Sequence, residues 1–182
     1  MSVVVFLIVV VIIGLLIFCI YNKGNKKIIV INDEKFQVKK MYKDKYNAAY
    51  LMNKLNRKTL DFISHLKRNP NYKQITDRLK YRYNPSNFIE GKKSYTVRKG
   101  KKISLCLRDD NGNLYDENLM MFVLLHEISH VAINSKNHTD EFWETFKIIL
   151  QEAVAFGIYK PEDYSRNPVK YCGILIKHNP LF

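Results

Sequence analysis

NLMMFVLLHEISHVAINSKNH, at residues 118–138, is the segment that decides the fold. Between Leu119 and Ile133 it is apolar on all sides, and the exceptions are His126, Glu127, Ser129 and His130. A helix that is apolar all round needs protein on every side, so the segment predicts a helix through the middle of a domain. Asp116 precedes this helix as its expected N-cap, because an Asp side chain accepts hydrogen bonds from the first turn.

Three of the chain's five histidines lie in this segment, two of them in the arrangement H-E-x-x-H. His126 and His130, four residues apart, lie on one face of the helix, so both imidazoles can bind one ion. Glu127 is rotated by about 100° from His126, which places its carboxylate beside the metal rather than on it. This spacing is typical of zinc peptidases, where the glutamate takes a proton from water. The alternative of core histidines paired with Glu127 is less favoured, because burying that carboxylate without a metal is costly.

A catalytic zinc site needs a third protein ligand and an open position. His138 is the first candidate. A continuous helix would carry it about 12 Å from His130, so the chain is expected to leave the helix after Ile133, where the asparagines of residues 134–137 suit a helix end. Glu152 is the alternative, because other zinc peptidases take a glutamate from a later helix. The sequence favours His138 and leaves both open.

The N-terminal segment VVVFLIVVVIIGLLIFCI, Val3 to Ile20, has eighteen residues without a charge. As a helix it would measure roughly 27 Å, enough to cross a bilayer, and it lacks the basic start and small-residue cleavage site of a signal peptide. We therefore expect a transmembrane anchor at residues 1–21, followed at 22–43 by a basic tether that contains one short strand, Ile28 to Ile31. Lysines follow the span, which favours a single-pass membrane protein with its C-terminal domain in the cytoplasm. Cys106 and Cys172 are then expected as free thiols, or as a disulfide if the topology is inverted.

Positive charge is concentrated before the histidines, although the whole chain carries +13. Residues 22–103 contain 23 Lys and Arg and 6 Asp and Glu, a net of +17, whereas residues 104–182 contain 7 and 11, a net of −4. A basic region of this kind can contact anionic lipid or nucleic acid, or can be a solvated face that keeps the domain soluble.

Patterns elsewhere predict an α+β domain. Apolar residues recur at helical spacing from about Lys45 to Lys67 and again from Asp140 to Ala155, and a short helix is expected over 71–81. Ser94 to Arg108 alternates polar and apolar residues around Gly100 and reads as a hairpin. We expect a substrate to extend along its second strand, Ile103 to Leu107.

The segment HEISHVAINSKNHTDEFWETF resembles the WLM and SprT-like metalloproteases. In those families an H-E-x-x-H helix is followed by a third histidine and an aromatic residue, here Phe142 and Trp143. Downstream, LQEAVAFGIYKPEDYSRNPVKYCG resembles the end of short proteins encoded by large DNA viruses. The resemblance implies a zincin-like metallopeptidase domain at residues 44–182, with Zn²⁺ as its cofactor.

The expected function is therefore a membrane-anchored zinc metalloendopeptidase acting on a protein or peptide. His126, His130 and His138 would bind zinc and Glu127 would be the general base. Tyr164 and Tyr171 are candidates, by residue type alone, for stabilising the oxyanion. Two alternatives stay open: a non-catalytic membrane or virion protein whose fold zinc stabilises, and a membrane-tethered nucleic-acid-binding protein.

Overall fold

The computed structural model describes residues 3–84, 86 and 88–182, except for the side chains of residue 3 and residues 17–24. The helices are α1 (Val3–Gly24), α2 (Lys45–Leu66), α3 (Lys73–Arg82), α4 (Glu117–Ala132) and α5 (Asp140–Ala155). The strands are β1 (Lys26–Ile31), β2 (Glu34–Lys39), β3 (Phe88–Glu90), β4 (Tyr95–Val97), β5 (Lys102–Leu105), β6 (Val169–Tyr171) and β7 (Ile174–Ile176). These elements confirm the α+β class.

Five strands form one sheet in the order β1-β2-β3-β5-β4, so that β1 and β4 are its edges. The hairpin predicted around Gly100 is confirmed as β4 and β5, which pair antiparallel. Side chains alternate along the strands, and Phe36, Val38, Ile103 and Leu105 on one face are fully buried. The helices pack on this face, with α2 against β1 and β2, and α4 against β4.

The segment 22–43, predicted as a tether, contains β1 and β2 and is part of the sheet. Phe36 and Val38 of β2 belong to the main core. Their alternation with Lys35, Gln37 and Lys39 is that of a half-buried strand. The strand expected at Ile28 to Ile31 is therefore confirmed as part of β1, whereas β2 was not expected, because the many lysines of this segment concealed its short strand pattern.

Helix α1 runs from Val3 to Gly24, and its described side chains, Val4 to Leu16, are exposed. Across the described residues, no helix combines the length and the apolar character required to cross a membrane. The predicted anchor at residues 1–21, and the single-pass membrane localisation and bilayer contact derived from it, are therefore wrong. Residues 1–2 and the side chains of 17–21 lie outside the described residues.

Helix α4 lies at the centre of the domain, as its composition predicts. It packs against α2, α3, α5 and β4, and twelve of its residues are buried. The Asp116 side chain accepts a hydrogen bond from the Leu119 amide at 2.9 Å, which confirms the predicted N-cap. Burial on most sides fixes both the position and the rotation of this helix, and hence the direction of its polar side chains.

A buried ion pair joins the sheet to the start of α2. Arg108 Nε donates to Glu90 Oε1 at 2.9 Å, and Arg108 Nη1 donates to Asp44 Oδ2 at 2.8 Å. Glu90 is fully buried, and its other oxygen accepts the Lys39 amide at 2.7 Å. The carboxylate thus stays paired on both oxygens, which a buried charge requires.

A disulfide between Cys106 and Cys172 ties the end of β5 to the hairpin of β6 and β7. The expectation of free thiols is therefore wrong. It was derived from an assumed compartment, and the spacing of two cysteines does not reveal whether they pair. Tyr171 of the same hairpin donates to the Cys106 carbonyl at 2.8 Å and shares a hydrogen bond with Ser94 at 2.6 Å. The C-terminal hairpin is thus held against β4 and β5.

Removing this disulfide should destabilise the domain. The bond closes a loop of 66 residues, and loss of such a cross-link typically costs about 2–4 kcal/mol. We expect the Cys106→Ala/Cys172→Ala variant to lower the free energy of unfolding by that amount in urea titrations of the full chain. Wild-type protein kept in reductant is the matched control, and its free energy of unfolding should fall as well. Equal stability of oxidised, reduced and variant protein would contradict the prediction.

Candidate metal centre

The side chains of His126, His130 and His138 meet on the exposed side of α4. One nitrogen from each ring lies within 4.8 Å of the others, and no other such group is found among the described residues. The Nε2 atoms of His126 and His138 are 3.0 Å apart. Two of the histidines come from successive turns of α4, and the third comes from the loop that follows it.

The chain leaves α4 because its last carbonyl groups bond to arginines of α3. Arg82 Nη1 donates to the carbonyls of Val131 at 3.1 Å and Ile133 at 2.9 Å, and Arg78 Nη1 donates to Ala132 at 3.0 Å. Cations at a helix C-terminus also interact favourably with its dipole. The helix therefore ends one residue before the expected position.

The loop from 133 to 139 then turns His138 back towards α4. Asn137 has a left-handed backbone, with φ of 64°, which asparagine tolerates better than most residues. Glu141, in the first turn of α5, accepts the Ser135 amide at 3.2 Å, and Lys99 Nζ donates to the Ser135 carbonyl at 2.5 Å. Side chains from α5 and from the β4–β5 turn therefore hold the loop at Ser135.

Phe142 forms an aromatic floor beneath all three imidazoles. Its ring centroid lies 4.3 Å from that of His130, 4.7 Å from His138 and 4.8 Å from His126. Trp143 packs beside His138 at 5.6 Å. The two aromatic residues of the predicted motif thus restrict the rotation of the histidine rings.

Glu127 is buried next to the histidines, with 5 % of its surface exposed. Its Oε2 accepts a hydrogen bond from Thr96 Oγ1 of β4 at 2.8 Å. Burial raises the pKa of this carboxyl to about 7, and the Thr96 hydroxyl opposes the rise. The group therefore exchanges a proton near neutral pH, which suits a general base.

Burial and mutual repulsion keep two of the imidazoles neutral. Burial lowers the pKa of His126 to about 3, and the neighbouring His130 and His138 contribute. Burial also lowers the pKa of His130 to about 4, with contributions from His138 and Lys99. A neutral imidazole is the form that binds a metal ion, so these rings need not lose a proton first.

The donor set fits zinc. Three neutral imidazole nitrogens are a known ligand set for catalytic Zn²⁺, at roughly 2.0–2.1 Å from the ion. The two Nε2 atoms at 3.0 Å face one another, so without an ion one ring has to donate to the other. The third side of the cluster opens into a cleft, which leaves a coordination position for water or substrate.

Glu152, the alternative third ligand, lies apart from the cluster. Its carboxylate accepts a hydrogen bond from the Tyr72 hydroxyl at 2.8 Å and is not in the group of metal-binding side chains. Glu152 thus links α5 to the short 3-10 turn Pro70–Tyr72. The structure brings His138, and not Glu152, to His126 and His130.

The two tyrosines proposed for the oxyanion have other partners. Tyr164 is buried, with its ring 4.9 Å from that of Phe122. Tyr171 is also buried, and its hydroxyl is bonded to Ser94 and to the Cys106 carbonyl. Of the two, only Tyr171 lines a cavity that reaches His126 and Glu127.

Two cavities meet at the histidines. The first, which we call the metal cleft, has a volume of about 550 Å³ and lies between β4 and the loop 135–138. The second, of about 420 Å³, is mostly apolar and extends from Glu127 to the β6–β7 hairpin. It is lined by Trp143 of α5 and by Ile174 and Ile176 of the hairpin. The cluster is thus accessible from two sides.

The strand next to the cluster is β4, and β5 is internal. The expectation that a substrate extends along Ile103 to Leu107 is therefore wrong, because β3 and β4 already pair with that strand. The unpaired edge belongs to Tyr95–Val97. Sequence reasoning also missed Thr96 and Lys99, although Thr96 stands in the alternating pattern that identified the hairpin.

Comparison with known proteins finds viral relatives. An uncharacterised protein of Acanthamoeba polyphaga mimivirus is 34% identical over 148 residues, which cover 76% of this chain and 75% of that protein. Uncharacterised proteins of Invertebrate iridescent virus 6 and Invertebrate iridescent virus 3 are 44% and 38% identical over 38% and 50% of this chain, and 40% and 57% of their own lengths. No family model and no solved structure matches. The viral part of the predicted resemblance is thereby confirmed, and the chain belongs to the family of the mimivirus protein.

Proposed function

We propose that this chain is a zinc-dependent metallopeptidase. One observation carries the proposal: three imidazoles with an open side lie directly beside a buried carboxylate whose pKa is raised to about 7. A site that only stabilised a fold would be expected to close all four positions with protein ligands. A structural zinc site also needs no general base, so a buried carboxylate beside it would have no function there.

His126, His130 and His138 would hold the ion. When bound, Zn²⁺ acts as a Lewis acid, which makes water more acidic and polarises a peptide carbonyl. Its positive charge would also lower the pKa of Glu127, counteracting the effect of burial. The aromatic floor of Phe142 keeps the ring orientations that the ion requires.

Glu127 would take a proton from the attacking water and return it to the leaving amine. The carbonyl carbon gains a bond to the water oxygen, and the carbon–nitrogen bond of the peptide breaks. Thr96 is a positioning residue in this scheme. Its hydroxyl holds Oε2 of Glu127 and leaves the other carboxylate oxygen for the proton transfer.

A peptide substrate would add a strand to the free edge of β4. Strand addition supplies main-chain hydrogen bonds and requires little of the sequence. Because Thr96 on β4 points inward to Glu127, a peptide backbone paired with this strand would lie beside Glu127. The metal cleft, between β4 and the loop 135–138, would then receive the scissile bond.

The Glu127→Gln variant should bind zinc like the wild type and lose peptide cleavage. Removal of a general base reduces the rate by roughly 10²–10⁴-fold. Zinc content by atomic absorption and digestion of a peptide library by the full chain provide the two readouts. Full activity in the variant would remove Glu127 from its role. Stoichiometric zinc without cleavage by the wild type would instead favour a structural site.

The third ligand is tested by comparing His138→Ala with Glu152→Ala. Loss of an outer-shell partner costs about 10–100-fold in metal affinity, and loss of His138, a direct ligand, should cost more. Glu152→Ala should leave zinc affinity unchanged, because its carboxylate bonds to Tyr72. Competition with a zinc chelator measures both. If Glu152→Ala lowered the zinc affinity more than His138→Ala does, the third ligand would be Glu152.

Replacing Thr96 by valine keeps the side-chain shape and removes the donor to Glu127. We expect kcat to fall about tenfold, less than for loss of Glu127 itself, with zinc affinity and KM nearly unchanged. Thr96→Ser keeps the hydroxyl and should restore most of the rate. A purely structural role would instead show as lower stability in Thr96→Val with kcat unaltered.

A further inference from the structure

A second groove lies on the outer face of the sheet, opposite the helices, and we call it the outer groove. It has a volume of about 750 Å³. Its basic lining consists of Lys26, Lys39, Lys92, Lys93 and Lys102. Glu90 is the one carboxylate among its described lining residues, and it is fully buried and paired with Arg108. The groove therefore presents ammonium groups without an exposed acid to neutralise them.

The lysines of the outer groove act on one another. Burial lowers the pKa of Lys26, and the charges of Lys102 and Lys39 lower it further. Burial lowers the pKa of Lys39 as well, with repulsion from Arg108 and Lys92, while the buried Glu90 carboxylate opposes the lowering of the pKa at both lysines. An anion in the groove would offset the repulsion between these positive charges, so the groove favours a negatively charged ligand.

The outer groove is continuous with the metal cleft across one strand. Tyr95 of β4 lines both, and Lys93 lines both the outer groove and the apolar cavity beside Glu127. The metal cleft adds the basic side chains of Arg98, Lys99 and Lys136. Its only described carboxylate, Glu127, is buried. Both sides of the β4 edge are thus cationic.

Strand geometry determines which parts of a ligand reach the outer groove. On β4, Thr96 points inward to Glu127, so Tyr95 and Val97 point outward. A peptide paired with β4 would alternate in the same way, with every second side chain on the outer side. Lys102 lies opposite Val97 in the β4–β5 register and on the same outer side. Long acidic side chains at those alternate positions would approach it.

We propose that the substrate of this site is an acidic polypeptide segment, which pairs with β4 and places alternate carboxylates against the lysines of the outer groove. The inference rests on the proposed peptidase function and names its substrate class. A polypeptide fits better than a nucleic acid, because a free strand edge offers main-chain groups that only a peptide pairs with. Binding of single strands also uses several stacking rings, whereas Tyr95 is the one aromatic side chain among the described residues that line the groove.

The test uses the full chain carrying Glu127→Gln, so that binding is measured without cleavage. The probes are two fluorescent peptides with the same apolar centre, one with alternating Glu residues and one with Gln at those positions. Fluorescence anisotropy should show the Glu peptide bound about tenfold more tightly, as expected of a few exposed ion pairs, with the advantage shrinking at high salt. Equal affinities would overturn the proposal.

Charge reversal locates the contact. Adding Lys92→Glu/Lys93→Glu/Lys102→Glu should abolish the preference for the Glu peptide. The control variant changes the net charge by the same amount at exposed lysines outside the groove and should retain the preference for the Glu peptide. Its substitutions are Lys67→Glu/Lys147→Glu/Lys160→Glu. An unchanged affinity for the Gln peptide shows that each variant is folded. Equal loss of preference in both variants would mean a general charge effect and overturn the proposal.

A single-stranded DNA oligonucleotide of the same net charge is the competing ligand. If it binds more tightly than the Glu peptide and loses affinity only in the groove variant, the surface binds nucleic acid and the proposal is overturned. Cleavage of the Gln peptide by the wild type tests the peptidase function separately. If neither peptide is cleaved but the preference for Glu persists, the proposed function fails while the acidic-peptide surface stands.

Discussion

Glu127 places a carboxylate in the middle of a helix that is buried on nearly every side. The neighbouring elements have to compensate for the free-energy cost of burying this group. An isolated buried carboxylate is costly, and burial here raises its pKa to about 7. Within the described part of the chain, the Thr96 hydroxyl is its one hydrogen-bond donor. The edge strand, the histidines and the cleft are therefore all arranged around one acidic group, and a cation beside it would complete its environment.

The centre of the domain could be predicted because its signals are local. The apolar composition around residues 119–133 requires burial, and the four-residue spacing of His126 and His130 requires one helix face. The return of His138 followed from helix geometry, since a continued helix would carry it away. The backbone at the end of α4 and in the following loop is bonded to Arg78, Arg82 and Glu141. These side chains come from other elements, and sequence spacing does not reveal such contacts. Zinc and the peptidase activity stay predictions.

The differences at the cysteines and at β5 arise because those features depend on contacts between distant segments, whereas β2 was missed because its local pattern is weak. Strand β2 was hidden because only Phe36 and Val38 of its residues are buried, among lysines. The pairing of Cys106 with Cys172 depends on the β6–β7 hairpin folding back onto the sheet. The position of β5 inside the sheet depends on β3, a strand of three residues with little sequence pattern.

The loop between α4 and α5 also bears on how the protein folds. The three imidazoles belong to one helix–loop–helix unit, so few residues have to be ordered before they meet, and the entropy lost on closing so short a loop is small. The sheet instead joins strands far apart along the chain, which is a slower process. The histidines can therefore come together early in folding, before the strand edge that Glu127 faces has been assembled.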